Sequence, residues 1–253
     1  MTTEPILRWS VWGDDEQVRA MLSHSIGTFR RYFGSSVRYL VFADDPAAVR
    51  RWLRVPAEVR EAAVARPRFD SVECTWRKWW PVCRVDPAAT ELYVDADVFL
   101  LDEPVEIRDF LFGRDRRSFL CTEESFDRAF YGNFARSVDP ALPYLNAGLV
   151  GQRAGHDLTA ALGEAYDWWR REVPADAVDY HDEQGAVARA LESHLRAGDV
   201  ALLPRERHRV ICPLNEATDG ASIEGLVLLH ATYPHRPAFW KYYDVISTIS
   251  GVP

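Results

Sequence analysis

The chain has 253 residues, 47% of them apolar, and a formal net charge of −8. This length and apolar content suit one large α/β domain with a substantial core, and the acidic charge argues against a nucleic-acid partner. Four cysteines without CxxC spacing form no disulfide framework, and the sequence shows neither a signal peptide nor an apolar run of membrane length. We therefore expect a soluble cytoplasmic protein.

The first part of the chain predicts a strand, a helix and a second strand. Ile6 to Trp12 is apolar enough for a strand, an amphipathic helix runs to about Phe33, and a second strand covers Val37 to Phe42. This order indicates a βαβ unit with a parallel sheet. Ligands of such sheets bind at the carboxyl ends of the strands, where Gly13-Asp14-Asp15 and Asp44 stand.

The segment from Leu92 to Leu101 sets two aspartates, Asp95 and Asp97, between apolar residues, and it predicts a buried strand that ends at this pair. Residues i and i+2 of a strand point to the same side, so the two carboxylates can converge on one divalent cation. Hard oxygen donors suit Mn²⁺ or Mg²⁺, which in turn hold anions such as a diphosphate. An Asp-x-Asp is also common in solvated turns, so the motif alone does not decide between the two interpretations.

The remaining chain alternates helices and strands, which favours an α/β fold. An aromatic, irregular segment between them has the character of a substrate loop, and Glu123 or Glu124 beside it is the first place to seek acceptor contacts. The predicted elements are a helix from Ser71 to Arg84, a strand from Ser118 to Thr122, the irregular segment from Ser125 to Tyr144, a strand with small residues from Leu145 to Gly151, helices from Asp157 to Arg171 and from His181 onward, and a strand from Leu226 to Leu229.

Three candidate residues also have structural interpretations. Asp182 and Glu183 begin a predicted helix, where acidic side chains stabilise the helix dipole. His230 follows an apolar strand, and a lone histidine is more often structural than a ligand. Because the aspartate pair offers two further ligands, we interpret His230 as a metal ligand and not as a structural residue.

Four segments in order resemble those of GT-A-fold glycosyltransferases. They are Gly13-Asp14-Asp15, Asp95-Ala96-Asp97, Leu145-Asn146-Ala147-Gly148, and His230 followed by a basic residue and Pro. The resemblance is greatest to the retaining family 8 group, related to glycogenin and the bacterial lipooligosaccharide galactosyltransferases, and covers Ile6 to about Trp240. It implies a single Rossmann-like α/β domain over residues 1–253 with a mixed, mostly parallel sheet flanked by helices, a nucleotide-binding half at about 1–100 and an acceptor and donor-sugar half at about 101–253.

The resemblance also implies an activity and roles for particular residues. A sugar would pass from a nucleoside-diphosphate sugar, with UDP favoured, to a small-molecule, glycan or peptide acceptor with retention of configuration. Mn²⁺ or Mg²⁺ would be held by Asp95, Asp97 and His230; Gly13, Asp14, Lys78, Ala147 and Arg236 would contact the donor; Asn146, Asp182 and Glu183 would lie at the donor sugar as catalytic candidates.

Two departures from the family pattern stand near the carboxy terminus. Tyr233 takes the place of a glycine that lies close to the phosphates, and Arg236 takes the place of a lysine that clamps them. Arginine keeps the charge and adds a fork of donors suited to phosphate. Lys241 remains an alternative clamp.

The sequence also raises three alternative functions. A haloacid-dehalogenase-type phosphatase is disfavoured, because two strands precede the Asp pair and Phe99 stands where that motif has Thr or Val. A sugar-1-phosphate nucleotidyltransferase would carry a glycine-rich basic loop after the first strand, whereas this chain is acidic there. A catalytically silent sugar-nucleotide-binding protein is the third alternative.

Overall fold

The protein is described here from a computed structural model, which covers residues 3–13, 15–62, 75–79, 83–124, 128–211, 222–232 and 237–252. Asp14, Tyr233 and Arg236 lie outside the described residues, so the donor contacts predicted for Asp14 and Arg236 stay predictions.

Ten strands are present in the described part of the chain. In chain order they are β1 Ile6–Val11, β2 Arg38–Ala43, β3 Glu58–Glu61, β4 Glu91–Val94, β5 Val98–Leu100, β6 Phe119–Glu123, β7 Leu145–Gln152, β8 Val200–Leu203, β9 His208–Ile211 and β10 Leu228–Ala231.

The helices lie between these strands and after the last one. They are α1 Glu16–Phe33, α2 Pro46–Trp52, α3 Val105–Leu111, α4 Thr159–Glu172, α5 Asp182–Arg196, α6 Pro237–Lys241 and α7 Tyr243–Ser250, with 3₁₀ turns at Trp76–Lys78, Arg128–Phe134 and Ala175–Ala177. Within the described ranges no helix is both long and apolar enough to cross a membrane.

The central sheet has seven strands in the order β3-β2-β1-β4-β7-β6-β8. The pairs β1 to β2, β2 to β3, β1 to β4 and β6 to β8 are parallel, and β7 runs antiparallel to both β4 and β6. A second sheet has the order β5-β10-β9. This confirms the predicted mixed, mostly parallel α/β sheet flanked by helices.

Both faces of the central sheet are buried at β1, because all six residues of this strand are buried although their side chains alternate between the two faces. Arg8 points to the opposite side from its neighbours, because successive side chains of a strand alternate between faces. The other face of β1 packs on α1 through an apolar cluster that includes Leu7, Trp9, Val11, Leu22, Ile26 and Phe29.

Arg8 fixes the segment that carries Lys78. Its guanidinium is fully buried and donates to Glu91 Oε1 at 2.7 Å, to the carbonyl of Lys78 at 2.8 Å and to the carbonyl of Cys83 at 3.0 Å. The predicted helix from Ser71 to Arg84 is accordingly reduced, in its described part, to the 3₁₀ turn Trp76–Lys78.

The Asp pair lies where the predicted buried strand ends, in a turn directly after β4 and not on the pleated strand itself. β4 ends at Val94 in the central sheet, and β5 begins at Val98 in the second sheet. The Asp95 N–H donates to the Gly148 carbonyl at 2.7 Å, and the Val98 N–H donates back to the Asp95 carbonyl at 3.2 Å. The chain thus changes sheets at the aspartates, and the turn brings their side chains together.

Candidate active site

Asp95, Asp97 and His230 form a group that could hold a metal ion. Each offers one ligand atom, and these atoms all lie within 4.8 Å of one another. His230 Nε2 is 3.2 Å from Asp97 Oδ1 and 3.9 Å from Asp95 Oδ2. The turn between β4 and β5 supplies both aspartates, and β10 supplies the histidine because it pairs antiparallel with β5, with His230 opposite Val98.

Gly148 makes room for the ring of His230. A Cβ atom at position 148 would lie 2.2 Å from His230 Cε1 and 2.9 Å from Asn146 Oδ1, closer than real contacts allow. The absence of a side chain at Gly148 therefore leaves space for the imidazole of His230. β7 thereby sets the position of the third candidate ligand.

The electrostatics of this group favour a bound cation. Burial alone lowers the pKa of His230, but the carboxylates of Asp97 and Asp95 outweigh it, so the pKa is raised above its ordinary value. Two carboxylates and an imidazole are a donor set that suits Mn²⁺. The residues present therefore fit the divalent ion that the sequence predicts.

Lys78 bridges the metal-ligand group to α5. Its Nζ donates to Asp95 Oδ2 at 2.9 Å and to Glu183 Oε1 at 2.7 Å. Burial lowers the pKa of Lys78, yet Asp95 and Glu183 together raise it well above its usual range. The second oxygen of Glu183 accepts from Trp79 Nε1 at 2.7 Å, so Glu183 holds the ammonium in place.

Asn146 lies in a hydrogen-bonded network next to the metal-ligand group. Its Nδ2 donates to Glu124 Oε2 at 2.7 Å and to Gln184 Oε1 at 3.1 Å, and its Oδ1 accepts from the Gly148 N–H at 2.8 Å. The Ala147 N–H also donates to Gln184 Oε1, at 3.2 Å. The site of Asn146 and Ala147 is thus shared by two further buried side chains, Glu124 and Gln184.

Asp182 faces away from this network. It is fully buried, and its oxygens accept from Asn133 N at 2.6 Å, from Trp169 Nε1 at 2.7 Å and from Asp179 N at 2.9 Å. These contacts attach the start of α5 to the neighbouring loops. The geometry therefore favours the structural interpretation of Asp182, and Glu183 is the member of the predicted pair that reaches the site.

A cleft of about 680 Å³ opens at the carboxyl ends of β1 and β2. Gly13, Asp44 and Trp52 are among the residues that line it. The Gly13 N–H donates to Asp44 Oδ2 at 3.0 Å, and Arg77 Nη1 lies 3.3 Å from the same oxygen. The predicted donor contact Gly13 therefore lies in a cavity of the size that small-molecule ligands use.

Sequence reasoning missed several residues of the site. Gln184 directly follows the predicted pair Asp182 and Glu183, which is the one signal that could have found it. Tyr93, whose hydroxyl donates to Asp95 Oδ1 at 2.6 Å, gave no signal because its role depends on folding of the turn after β4.

Comparison with known proteins defines the fold. No protein-family model and no curated protein matches the sequence. Among solved structures, the galactosyltransferase LgtC in complex with donor and acceptor sugar analogues superposes with a TM-score of 0.64 at 14% identity, over 98% of this chain and 97% of that one. Mouse xyloside xylosyltransferase 1 gives 0.58 at 11% identity, over 88% and 96%.

The glycosyltransferase GlyE of Streptococcus pneumoniae gives a TM-score of 0.59 at 13% identity and covers 98% of this chain, which spans 62% of GlyE. The chain therefore has the GT-A glycosyltransferase fold. This confirms the fold that the sequence resemblance implies.

Proposed function

We propose that the protein is a divalent-metal-dependent glycosyltransferase that uses a nucleoside-diphosphate sugar, with UDP as the favoured nucleotide. The convergence of Asp95, Asp97 and His230 beside Lys78, at one edge of a GT-A sheet, carries this proposal. Residues of both predicted halves meet there, which supports a single working domain over 1–253.

The three ligand residues would hold Mn²⁺ or Mg²⁺ against the donor diphosphate. Bound there, the ion would supply Lewis-acid stabilisation of the diphosphate charge that develops when the sugar leaves. Lys78 contributes a fixed positive charge on the same side, because its pKa is raised by its two carboxylate partners. Arg236 is proposed as a further phosphate contact, and Lys241 as its alternative.

The nucleoside is proposed to bind in the cleft beside Gly13. That cleft lies at the carboxyl ends of parallel strands, where ligands of such sheets bind. Asp14 is proposed to contact the base from the same loop. Mn²⁺ at the aspartate turn and a nucleoside in the cleft would place the diphosphate along the same edge of the sheet.

The donor sugar is proposed to lie against Asn146, Ala147 and Gln184. These groups are buried and already hydrogen-bonded to one another, so they offer a rigid polar surface. In the reaction the bond from the anomeric carbon to the diphosphate oxygen would break, a bond to an acceptor hydroxyl oxygen would form on the same face, and the hydroxyl proton would pass to the departing diphosphate oxygen. Glu183 acts through Lys78, since both of its oxygens are held.

Calorimetric titration with UDP, GDP and dTDP, each with and without Mn²⁺, tests the proposal. We expect UDP to bind most tightly and its affinity to rise when Mn²⁺ is present. UDP-sugars would then be screened for Mn²⁺-dependent release of UDP, with NMR of the product assigning the anomer. Binding of UDP that ignores Mn²⁺ would refute the metal role, and binding without any turnover would leave a silent sugar-nucleotide-binding protein.

A further inference from the structure

The ammonium of Lys78 contacts the same Asp95 oxygen that faces His230. Asp95 Oδ2 accepts from Lys78 Nζ at 2.9 Å and lies 3.9 Å from His230 Nε2. A cation held between Asp95 and His230 would therefore meet a positive charge already bonded to one of its ligands. Like charges at such short range repel strongly where burial limits screening by water.

The other oxygen of Asp95 is also engaged. Asp95 Oδ1 accepts from the hydroxyl of Tyr93 at 2.6 Å, and a phenol hydroxyl is a neutral donor. A neutral donor leaves lone pairs of the carboxylate available to a metal. Of Tyr93 and Lys78, the two side chains that donate a hydrogen bond to Asp95 within the described part of the chain, Lys78 is the one whose charge opposes the metal.

Lys78 is anchored in a way that lets its tip move. Arg8 donates to the backbone carbonyl of Lys78 at 2.8 Å, and Glu183 accepts from the ammonium at 2.7 Å independently of Asp95. Glu183 is itself fixed by Trp79 Nε1 at 2.7 Å. The flexible stem of lysine can therefore release Asp95 without releasing Glu183 or the backbone.

We propose that Lys78 is a built-in competitor of the metal: it neutralises Asp95 in the nucleotide-free protein and gives up Asp95 for the diphosphate when nucleotide and metal bind together. This inference rests on the proposed function and adds an order of binding: the metal binds together with the nucleotide and not before it. Metal alone binds weakly, and metal accompanied by a nucleoside diphosphate binds well, because the diphosphate provides Lys78 with another anion. The device would keep the site from holding a metal without its donor.

The test measures Mn²⁺ affinity by calorimetry without any nucleotide, and so does not depend on activity. Lys78→Met should bind Mn²⁺ about tenfold more tightly than the wild type, an ordinary size for coupling between two ligands. With saturating UDP the advantage should vanish or reverse, since Lys78 then assists the diphosphate. Arg171→Met is the matched control: it removes one positive charge from a side chain that is 67% exposed and pairs with Glu172.

A second variant separates competition from a loss of folding or a change in net charge. Lys78→Met leaves the buried Glu183 with only Trp79 as a partner, whereas Lys78→Met with Glu183→Gln removes both charges and restores neutrality. The double variant should also bind Mn²⁺ alone more tightly than the wild type. Circular dichroism establishes that each variant is folded before titration.

The outcomes distinguish this inference from the proposed function. If the wild type binds Mn²⁺ with UDP but folded Lys78→Met binds Mn²⁺ alone no more tightly, competition by Lys78 is refuted and the proposed function stands. The same holds if Arg171→Met gains as much affinity as Lys78→Met. If the wild type binds no Mn²⁺ even with UDP, the proposed function itself fails.

Discussion

The two aspartates of the turn after β4 differ in their surroundings. Asp95 accepts hydrogen bonds from Lys78 and Tyr93, while Asp97 Oδ1 lies 3.2 Å from His230 Nε2. Asp97 therefore offers the simpler test of the metal site, because its replacement leaves the bridge between Lys78 and Glu183 intact.

We expect Asp97→Asn to lose Mn²⁺-dependent UDP binding and turnover while the fold is kept, since the amide removes the charge and leaves the shape. Titration of UDP with and without Mn²⁺, together with thermal unfolding, measures both effects. Full Mn²⁺-dependent activity in this variant would exclude Asp97 from the metal site.

Gly148 gives a second test at the scale of a single residue. We predict that Gly148→Ala weakens Mn²⁺ binding, because the new methyl group would occupy the space of the His230 ring. The overpacking should also cost about 1 to 3 kcal/mol of unfolding free energy.

The same strand supplies the matched control. A Cβ atom at Gly151 would lie 2.5 Å from Phe110 Cε1, in the core and not in the site. Gly151→Ala should therefore lose comparable stability while the folded protein keeps the Mn²⁺ affinity of the wild type. Equal Mn²⁺ affinity in the two variants would contradict the role given to Gly148.

At the scale of elements, the pair Arg8 and Glu91 joins β1 and β4 to the 3₁₀ turn that carries Lys78. Both side chains are buried, so removal of either charge leaves the other uncompensated. We predict that Glu91→Gln destabilises the protein by about 3 to 5 kcal/mol in denaturant unfolding. UDP affinity should fall as well, because Arg8 then holds the Lys78 carbonyl less firmly.

An exposed ion pair is the comparison for this prediction. Arg114 is 76% exposed and lies 3.3 Å from Asp109. Asp109→Asn should change the unfolding free energy by about 1 kcal/mol or less. A similar loss in Glu91→Gln would show that the buried pair does not organise the turn.

Long, strongly patterned elements are predictable from sequence, and short ones are not. The periodicity of β1, α1, β2 and β7 gives their positions closely, because their apolar residues recur over many positions. β3, β8 and β9 have four residues each, too few to show a period. The end of β4 at the aspartates could be predicted, but the change to the second sheet after them could not, because both flanks of the turn are apolar.

The residues of the candidate site also differ in how well the sequence predicts them. Asp95 and Asp97 could be predicted because they are neighbours in sequence, whereas His230 required the resemblance, since its partners lie more than a hundred residues away. Asp182 and Glu183 could not be separated from sequence: consecutive residues of a helix point about 100° apart, so one reaches the site and the other caps a loop. Which one does so depends on how α5 packs.

For the molecule as a whole, the turn after β4 joins the central sheet to the second sheet, and β7 and α5 supply the side chains around it. The GT-A fold thereby brings a cleft beside Gly13, a metal-ligand group and a buried polar network to one edge. We propose that this edge holds a metal on the diphosphate of a nucleotide sugar.

A crystal structure of the protein with Mn²⁺ and UDP tests that claim most directly, because anomalous scattering locates the metal. We predict one anomalous peak bounded by Asp95, Asp97 and His230, in contact with the diphosphate, with Lys78 turned from Asp95 toward a phosphate oxygen. A peak at other residues, or UDP bound in the cleft with no metal beside the Asp turn, would contradict the account.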